Sequence, residues 1–90
     1  MTKYFNLREI MVEEKLDEVW RDMDCCKCKM CRDDIIALSL NKLSPKYVAT
    51  KEGELYGRAV EYTNEKNVEI ISQLIHAIKT VSKNPRHDSK

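Results

Sequence analysis

The chain has 90 residues, of which 42% are apolar and 34% are charged, and its formal net charge is +1. This length predicts one domain spanning residues 1–90, and the near-zero charge excludes the strong basic field that direct binding to duplex nucleic acid requires. No apolar run approaches the roughly 20 residues of a membrane-spanning helix, so no membrane partner is expected.

The first predicted helix begins at a polar cap. Asn6 followed by Glu9 fits a capping box, and the helix is expected to continue to about Asp22. Its apolar residues recur at steps of three and four, which is typical of one buried helix face. Trp20 stands one turn before the cysteines and is interpreted as core packing beside them.

All four cysteines follow in one short stretch, at positions 25, 26, 28 and 31. Closely spaced thiolates repel each other unless a cation lies among them, and Zn²⁺ accepts four sulfurs at about 2.3 Å each. A disulfide framework is disfavoured, because adjacent residues meet the geometry of a bridge poorly. The stretch therefore predicts a zinc-binding loop whose candidate ligands are Cys25, Cys26, Cys28 and Cys31.

Two other interpretations of this loop stay open. The thiols could be free or redox-active, and the C-x-x-C-x-x-C spacing also matches the start of a ferredoxin-type iron–sulfur run, although the later Cys-Pro is missing. His76 and His87 are alternative ligands that could replace a cysteine. Lys27, Lys29 and Arg32 are interleaved with the cysteines, where they could offset thiolate charge or simply be solvated.

The second predicted helix covers about Arg32 to Lys42 and is so apolar that it is expected to be the most buried element. Ser44-Pro45 ends it. The next segment, 47–50, is predicted to be extended, either packing as a coil or pairing across a dimer axis. A turn at 51–53 is expected to precede a third helix from Glu54.

The final helix is predicted to run to about Val81. Its apolar stripe is wider than one small core requires, and we interpret the excess as a homodimer interface. Residues 1–8 are mixed and polar rather than a signal peptide, and reduced cysteines agree with a cytoplasmic location. The predicted fold class is all-α, with about four helices and a cysteine-rich metal loop between the first two.

Longer motifs add a family resemblance. Cys26-x-Cys28-x-x-Cys31, followed by Asp34-Ile-Ile-Ala-Leu-Ser-Leu-Asn41-Lys-Leu-Ser-Pro45-x-Tyr47-Val48, resembles the ComFB family of late competence proteins. The similarity continues through 53–59 and ends with 81–87, so it covers nearly the whole chain. The resemblance implies a small helical homodimer with zinc held by cysteines in each subunit, with Cys26, Cys28 and Cys31 matching the family pattern best and Cys25 as the fourth ligand.

The resemblance also implies a biological setting, because founding members lie in an operon for DNA uptake and others resemble receptors for cyclic dinucleotides. We therefore expect a non-enzymatic regulator that binds cyclic di-GMP or cyclic di-AMP, or else a structural partner of the DNA-uptake machinery. A cysteine-based redox protein is the third hypothesis. The cations and aromatic rings that could bind a nucleotide are Lys46, Tyr47, Tyr56, Arg58 and Arg86.

Overall fold

The computed structural model describes residues 3–61 and 63–83. It contains four helices and one short two-stranded ribbon, which confirms the all-α prediction with the cysteines between the first two helices. In chain order the elements are β1 (Phe5–Asn6), α1 (Leu7–Val19), α2 (Lys29–Lys42), β2 (Tyr47–Val48), α3 (Lys51–Glu61) and α4 (Asn64–Lys83). The predicted stop at Asn84-Pro85 lies outside the described residues.

The predicted cap of α1 is confirmed. The Asn6 side-chain oxygen accepts a hydrogen bond from the backbone N–H of Arg8 at 3.1 Å, which satisfies one of the unpaired amides of the first turn. The same oxygen accepts the Lys46 N–H at 2.8 Å, so this side chain also fixes the start of α1 to the segment before β2. The helix ends at Val19, three residues earlier than predicted.

The extended segment pairs within its own chain. β2 lies antiparallel to β1, with Phe5 opposite Val48 and Asn6 opposite Tyr47. The Leu7 N–H also donates to the Lys46 carbonyl at 2.6 Å. The predicted coil is therefore wrong, because β1 supplies a neighbouring strand from the N-terminal end of α1, and pairing across a dimer axis stays a prediction.

The main core lies between α1, α2 and α4. Helix α4 supplies five of the eleven buried residues of this core, more than any other element: Ile70, Leu74, Ala77, Ile78 and Val81. Helix α2 was expected to be the most buried element, but only one of its faces is covered, and Ile36, Leu38 and Leu40 are half-buried. Helix α4 is therefore the central element.

Helix α3 begins at Lys51, three residues before the predicted start. The Thr50 hydroxyl accepts the Gly53 N–H at 2.9 Å, so this residue caps a helix where a turn was expected. Helix α3 packs on α1 through Gly57, where an added Cβ would lie 2.8 Å from the Leu7 Cδ2. This contact belongs to a second, smaller apolar cluster of Leu7, Met11 and Val48, with Phe5 against it.

A buried ion pair joins α1 to the end of α3. The Arg8 Nε lies 2.8 Å from the Glu61 Oε1, and both side chains are almost fully buried, with 4% and 2% of their surface exposed. The Arg8 Nη2 also lies 3.6 Å from the Glu69 Oε1 on α4, which is partly exposed. Although the Arg8 Nε and Glu61 Oε1 atoms are 2.8 Å apart, they do not meet the geometry of a hydrogen bond, so the contact is an ion pair. One guanidinium thus holds three helices together at this end of the molecule.

Among the described residues, no helix combines the length and apolar content that crossing a bilayer requires.

Candidate metal centre

The cysteine loop connects the end of α1 to the start of α2. The Trp20 N–H closes the last turn of α1 on the Leu16 carbonyl at 3.0 Å, and the Met23 N–H then bonds the Trp20 carbonyl at 3.0 Å. Trp20 is buried in the main core, as predicted. The loop therefore starts from a fixed point, and the chain needs only a few residues to reach α2.

Three of the four cysteine sulfurs come together. The Sγ atoms of Cys26, Cys28 and Cys31 all lie within 4.8 Å of one another. In a tetrahedral zinc site with bonds near 2.3 Å, neighbouring sulfurs are about 3.8 Å apart. The three sulfurs are thus close to the spacing of one face of a tetrahedron, and this donor set fits zinc with only a small contraction.

The start of α2 positions two of these sulfurs. Cys28 is the N-cap of α2, and its Sγ accepts the backbone N–H of Cys31 at 3.4 Å, while its carbonyl accepts the Arg32 N–H at 2.9 Å. Cysteine here takes the place that serine or aspartate usually fills. Capping extends α2 back to Lys29, three residues before its predicted start, and it directs both sulfurs to the same side of the helix end.

The site is buried on one side and open on the other. Cys31 is buried and belongs to the main core, whereas Cys26 and Cys28 are exposed. Burial, together with hydrogen bonds and charge from the neighbouring Cys26 and Cys28 sulfurs, raises the pKa of the Cys31 thiol to about 12. In the metal-free protein this thiol is protonated at neutral pH, so a bound metal must displace its proton.

Cys25 has a different position. It is half-buried and packs against the main core, and it does not belong to the three-sulfur group. Adjacent residues cannot both point the same way without a change in the backbone, which explains why only Cys26 of this pair joins the cluster.

The cations of the loop interact with oxygen atoms. Lys27 donates to the Met23 carbonyl at 2.6 Å, Lys29 pairs with Asp33 at 2.8 Å, and Arg32 lies 3.4 Å from Asp17. All three cations therefore have oxygen partners, and their role in offsetting thiolate charge stays a prediction.

The predicted nucleotide-binding residues are only partly gathered. Lys46 and Tyr47 lie on or beside β2, and the Lys46 side chain passes close to Gly57 of α3. Tyr56 is 72% exposed on α3. Arg58 is paired with Glu14 at 3.2 Å and with Glu54 at 3.4 Å. Arg86 lies outside the described residues, as does His87.

The structure adds one aromatic residue that sequence reasoning missed. The Tyr4 ring packs edge-to-face on the Tyr47 ring, with centroids 5.9 Å apart, and both side chains are more than 60% exposed. An exposed tyrosine next to a predicted helix start gives no signal by itself. Only the pairing of β1 with β2 brings the two rings together.

Comparison with known proteins places the chain among its relatives. The family described as "Late competence development protein ComFB" matches residues 5–85. The chain belongs to the ComFB family. The family resemblance predicted from the cysteine and Pro-x-Tyr motifs is therefore confirmed.

Two relatives illustrate how closely ComFB proteins agree. "Competence protein ComFB" of Bacillus subtilis (strain 168) is 35% identical over 81 residues, which cover 89% of this chain and 83% of the relative. The solved structure of the late competence protein ComFB from Bacillus subtilis has a TM-score of 0.77 at 33% identity and covers 91% of both chains. The ComFB fold described above is therefore shared over almost the whole length.

Proposed function

We propose that this ComFB protein is a non-enzymatic regulatory or accessory protein of the competence system whose fold is fastened by zinc. The observation that carries the proposal is the convergence of three cysteine sulfurs at the joint between α1 and α2. A metal bound there would link the first two helices through the loop between them. In such small sites the free energy of metal binding contributes directly to folding.

Zinc fits this donor set better than the alternatives. Thiolates are preferred ligands of zinc, and a structural zinc has a closed shell of four ligands. Cys26, Cys28 and Cys31 would hold it, and we propose Cys25 as the fourth ligand, which requires that its side chain turn out of the core. A closed shell has no open position for substrate, which argues for a structural rather than a catalytic role.

We further propose that the protein acts as a homodimer in the cytoplasm. The α4 stripe that predicted an interface is largely used by the chain's own core, but Val68 remains 62% exposed and Leu55 on α3 is 60% exposed. Contiguous exposed apolar patches mark interaction surfaces, and we propose that these two side chains belong to such a surface in the dimer. Sedimentation equilibrium of the wild type and of Val68→Glu measures this, and a monomeric wild type would contradict it.

The aromatic pair on the ribbon supports a cyclic dinucleotide as the ligand. Exposed aromatic rings stack on bases, and each such contact contributes about 1–3 kcal/mol in single-stranded recognition. Tyr47 and Tyr4 supply two rings and Lys46 supplies a cation for phosphate. Tyr56, Arg58 and Arg86 are further proposed contacts, with Arg58 having to exchange its carboxylate partners for phosphate oxygens.

Calorimetric titration with cyclic di-GMP and with cyclic di-AMP tests the receptor proposal. We expect binding by the zinc-loaded protein and at least a tenfold loss, about 1.4 kcal/mol, in Tyr47→Ala. Lys15→Ala is the matched surface control, because Lys15 lies on α1 and pairs locally with Glu18. If neither nucleotide produces binding heat, in a direct or in a displacement titration, the receptor proposal is wrong.

The second candidate is a structural partner of the DNA-uptake machinery with no small ligand. The family match, in which relatives are named as competence proteins, favours it. Pull-down with uptake proteins, using Val68→Glu as the surface variant, distinguishes it from the first. Capture of an uptake protein together with silent nucleotide titrations would favour this candidate.

A further inference from the structure

Cys28 and Cys31 are arranged as a pair that can be bridged. They stand at the N-cap and at the third residue of α2, and the Cys31 N–H is aimed at the Cys28 sulfur over 3.4 Å. The Cys28 and Cys31 sulfurs already lie within 4.8 Å of each other. A disulfide brings its two Cβ atoms to about 3.5–4.5 Å, and Cys28, as the extended N-cap residue, lies outside the regular helical turn, so its side chain can rotate toward Cys31 to form the bond.

The two thiols differ in their access to solvent. Cys28 is exposed, so a small oxidant can reach its sulfur, whereas Cys31 is only 2% exposed. A reactive outer thiol with a protected inner partner favours bridge formation over further oxidation, because the inner sulfur is shielded from the oxidant yet adjacent to the outer one.

The other cysteine pairs are less suitable. Cys25 packs against the core and is not one of the three clustered sulfurs, and it is adjacent to Cys26, so a bridge between them would strain the peptide. Cys26 and Cys28 are separated by one residue outside the helix, where a bridge closes a very small ring.

We propose that this loop is a thiol–disulfide switch, in which a hydroperoxide converts Cys28 and Cys31 to a disulfide and the metal is released. The metal-release part rests on the proposed zinc site. After bridging, only Cys25 and Cys26 keep reduced thiols, and two neighbouring thiols are too few for a structural zinc shell. The oxidised protein then loses the metal link between α1 and α2.

The reaction balances with the peroxide as the sole oxidant. The Cys28 sulfur attacks one peroxide oxygen, the O–O bond breaks, and a sulfenic acid forms while the second oxygen leaves as water or an alcohol. The Cys31 sulfur then attacks the Cys28 sulfur, the S–O bond breaks, and the hydroxyl leaves as water. The two sulfurs together lose two electrons, and the O–O bond gains them. If the two sulfurs react as metal-bound thiolates, they carry no protons, and solvent supplies the two protons that the oxygen products need.

Hydrogen peroxide and tryptic mapping test the switch. Cleavage after Lys27 and Lys29 places Cys28 and Cys31 on different peptides, and separates both from Cys25 and Cys26. We expect a cross-linked peptide joining Cys28 to Cys31, forming in step with zinc release measured by a chromogenic chelator. Dithiothreitol followed by zinc should restore both the free thiols and the bound metal. Met30, which is 51% exposed, reports general oxidation as its own mass gain.

A metal-free arm separates this proposal from the zinc proposal. If purified protein holds no zinc, the proposed metal site fails, while the peroxide map of metal-free protein still decides the bridge. In the metal-free protein, Cys26→Ser should form the Cys28–Cys31 bridge as readily as the wild type. In urea, the chain should no longer favour this bridge over those between other cysteine pairs. A bridge to Cys25 or Cys26, sulfinic acid on Cys31, or zinc release without any bridge would overturn the switch.

Discussion

Two joints, one at each end of α1, use opposite chemistry. At its C-terminal end, α1 is joined to α2 by a loop whose three clustered sulfurs provide a site for a metal. At its N-terminal end, the Arg8–Glu61 ion pair and a close approach at Gly57 join α1 to α3. The first joint offers a site for something added to the chain, and the second is complete in the chain itself.

This difference shows where the protein can respond to its surroundings. A buried ion pair is insensitive to small molecules, because its groups are shielded and bound to each other. A partly exposed sulfur cluster can gain or lose a metal and can be oxidised. We therefore expect the α1–α2 joint to vary with conditions and the α1–α3 joint to stay constant.

Removing a sulfur from the cluster should produce the largest effect. Cys28→Ser removes a metal ligand but keeps a side chain that can cap α2, so we expect loss of bound zinc and a fall in the free energy of unfolding of more than about 4 kcal/mol, the stabilisation that a ligand gives at about a thousand times its Kd. Urea unfolding in the presence of zinc, with metal content measured in parallel, checks this.

Cys25→Ser is the graded comparison for that result, since its side chain packs against the core. We expect a smaller fall in the free energy of unfolding than in Cys28→Ser. Equal stability of the wild type and Cys28→Ser in zinc would show that the metal does not fasten this joint.

Breaking the ion pair should have the next largest effect, and it should not depend on metal. Glu61→Gln leaves the buried Arg8 without its main counter-charge, which we expect to cost about 3 kcal/mol with or without zinc. Glu69→Gln is the matched control, because its half-exposed partner contact should contribute less than about 1 kcal/mol. A loss that appears only in zinc-loaded protein would mean that the two joints are coupled.

Alkaline pH should weaken the metal-free protein through Cys31. The pKa of this thiol is raised by burial from 9.0 to about 12. A raised folded-state pKa contributes stability that is complete below pH 9 and is lost as the pH rises toward about 12, for a total of about 4 kcal/mol. At about pH 10.5 roughly half of this should be gone. Urea unfolding of the wild type and of Cys31→Ala at about pH 8 and about pH 10.5 separates the contribution of this thiol from other effects of pH. An equal fall in the free energy of unfolding of both proteins would contradict the prediction.

The two glycines of α3 should give the smallest and most local effect. Gly57→Ala places a methyl group 2.8 Å from a buried Leu7 carbon, and the resulting overpacking should cost about 1–2 kcal/mol despite the better helix propensity of alanine. At Gly53 the nearest atom is the Thr50 hydroxyl at 3.1 Å, so Gly53→Ala should be nearly neutral. Thermal melts of the two variants check this contrast, and equal melts would mean that the α1–α3 contact can relax.

Local signals predicted most of the helices and the sulfur cluster. The Asn6 cap, the apolar periodicity and the spacing of cysteines each act over a few residues, so they are readable in the chain. The family resemblance rests on the same kind of contiguous motif, and the matched range of residues 5–85 confirms it.

The rest depends on contacts between distant residues. No local sequence pattern predicts the pairing of Phe5 with Val48 or of Arg8 with Glu61. The residues of each pair are more than forty positions apart in the chain, and they meet only when the protein is folded. The start of α3 was misplaced because the Thr50 hydroxyl caps a helix that contains two glycines. The orientation of Cys25 followed from burial of the loop against Trp20 and its neighbours, which the spacing of four cysteines does not encode.

Metal content and thermal unfolding of the same purified sample test the central claim most directly. We expect one zinc per chain, a cobalt-substituted form with the absorption of tetrahedral thiolate coordination, and a marked fall in Tm when a chelator removes the metal. A well-folded protein that contains no metal, and whose Tm is unchanged by zinc or by chelator, would contradict the claim that a metal fastens α1 to α2.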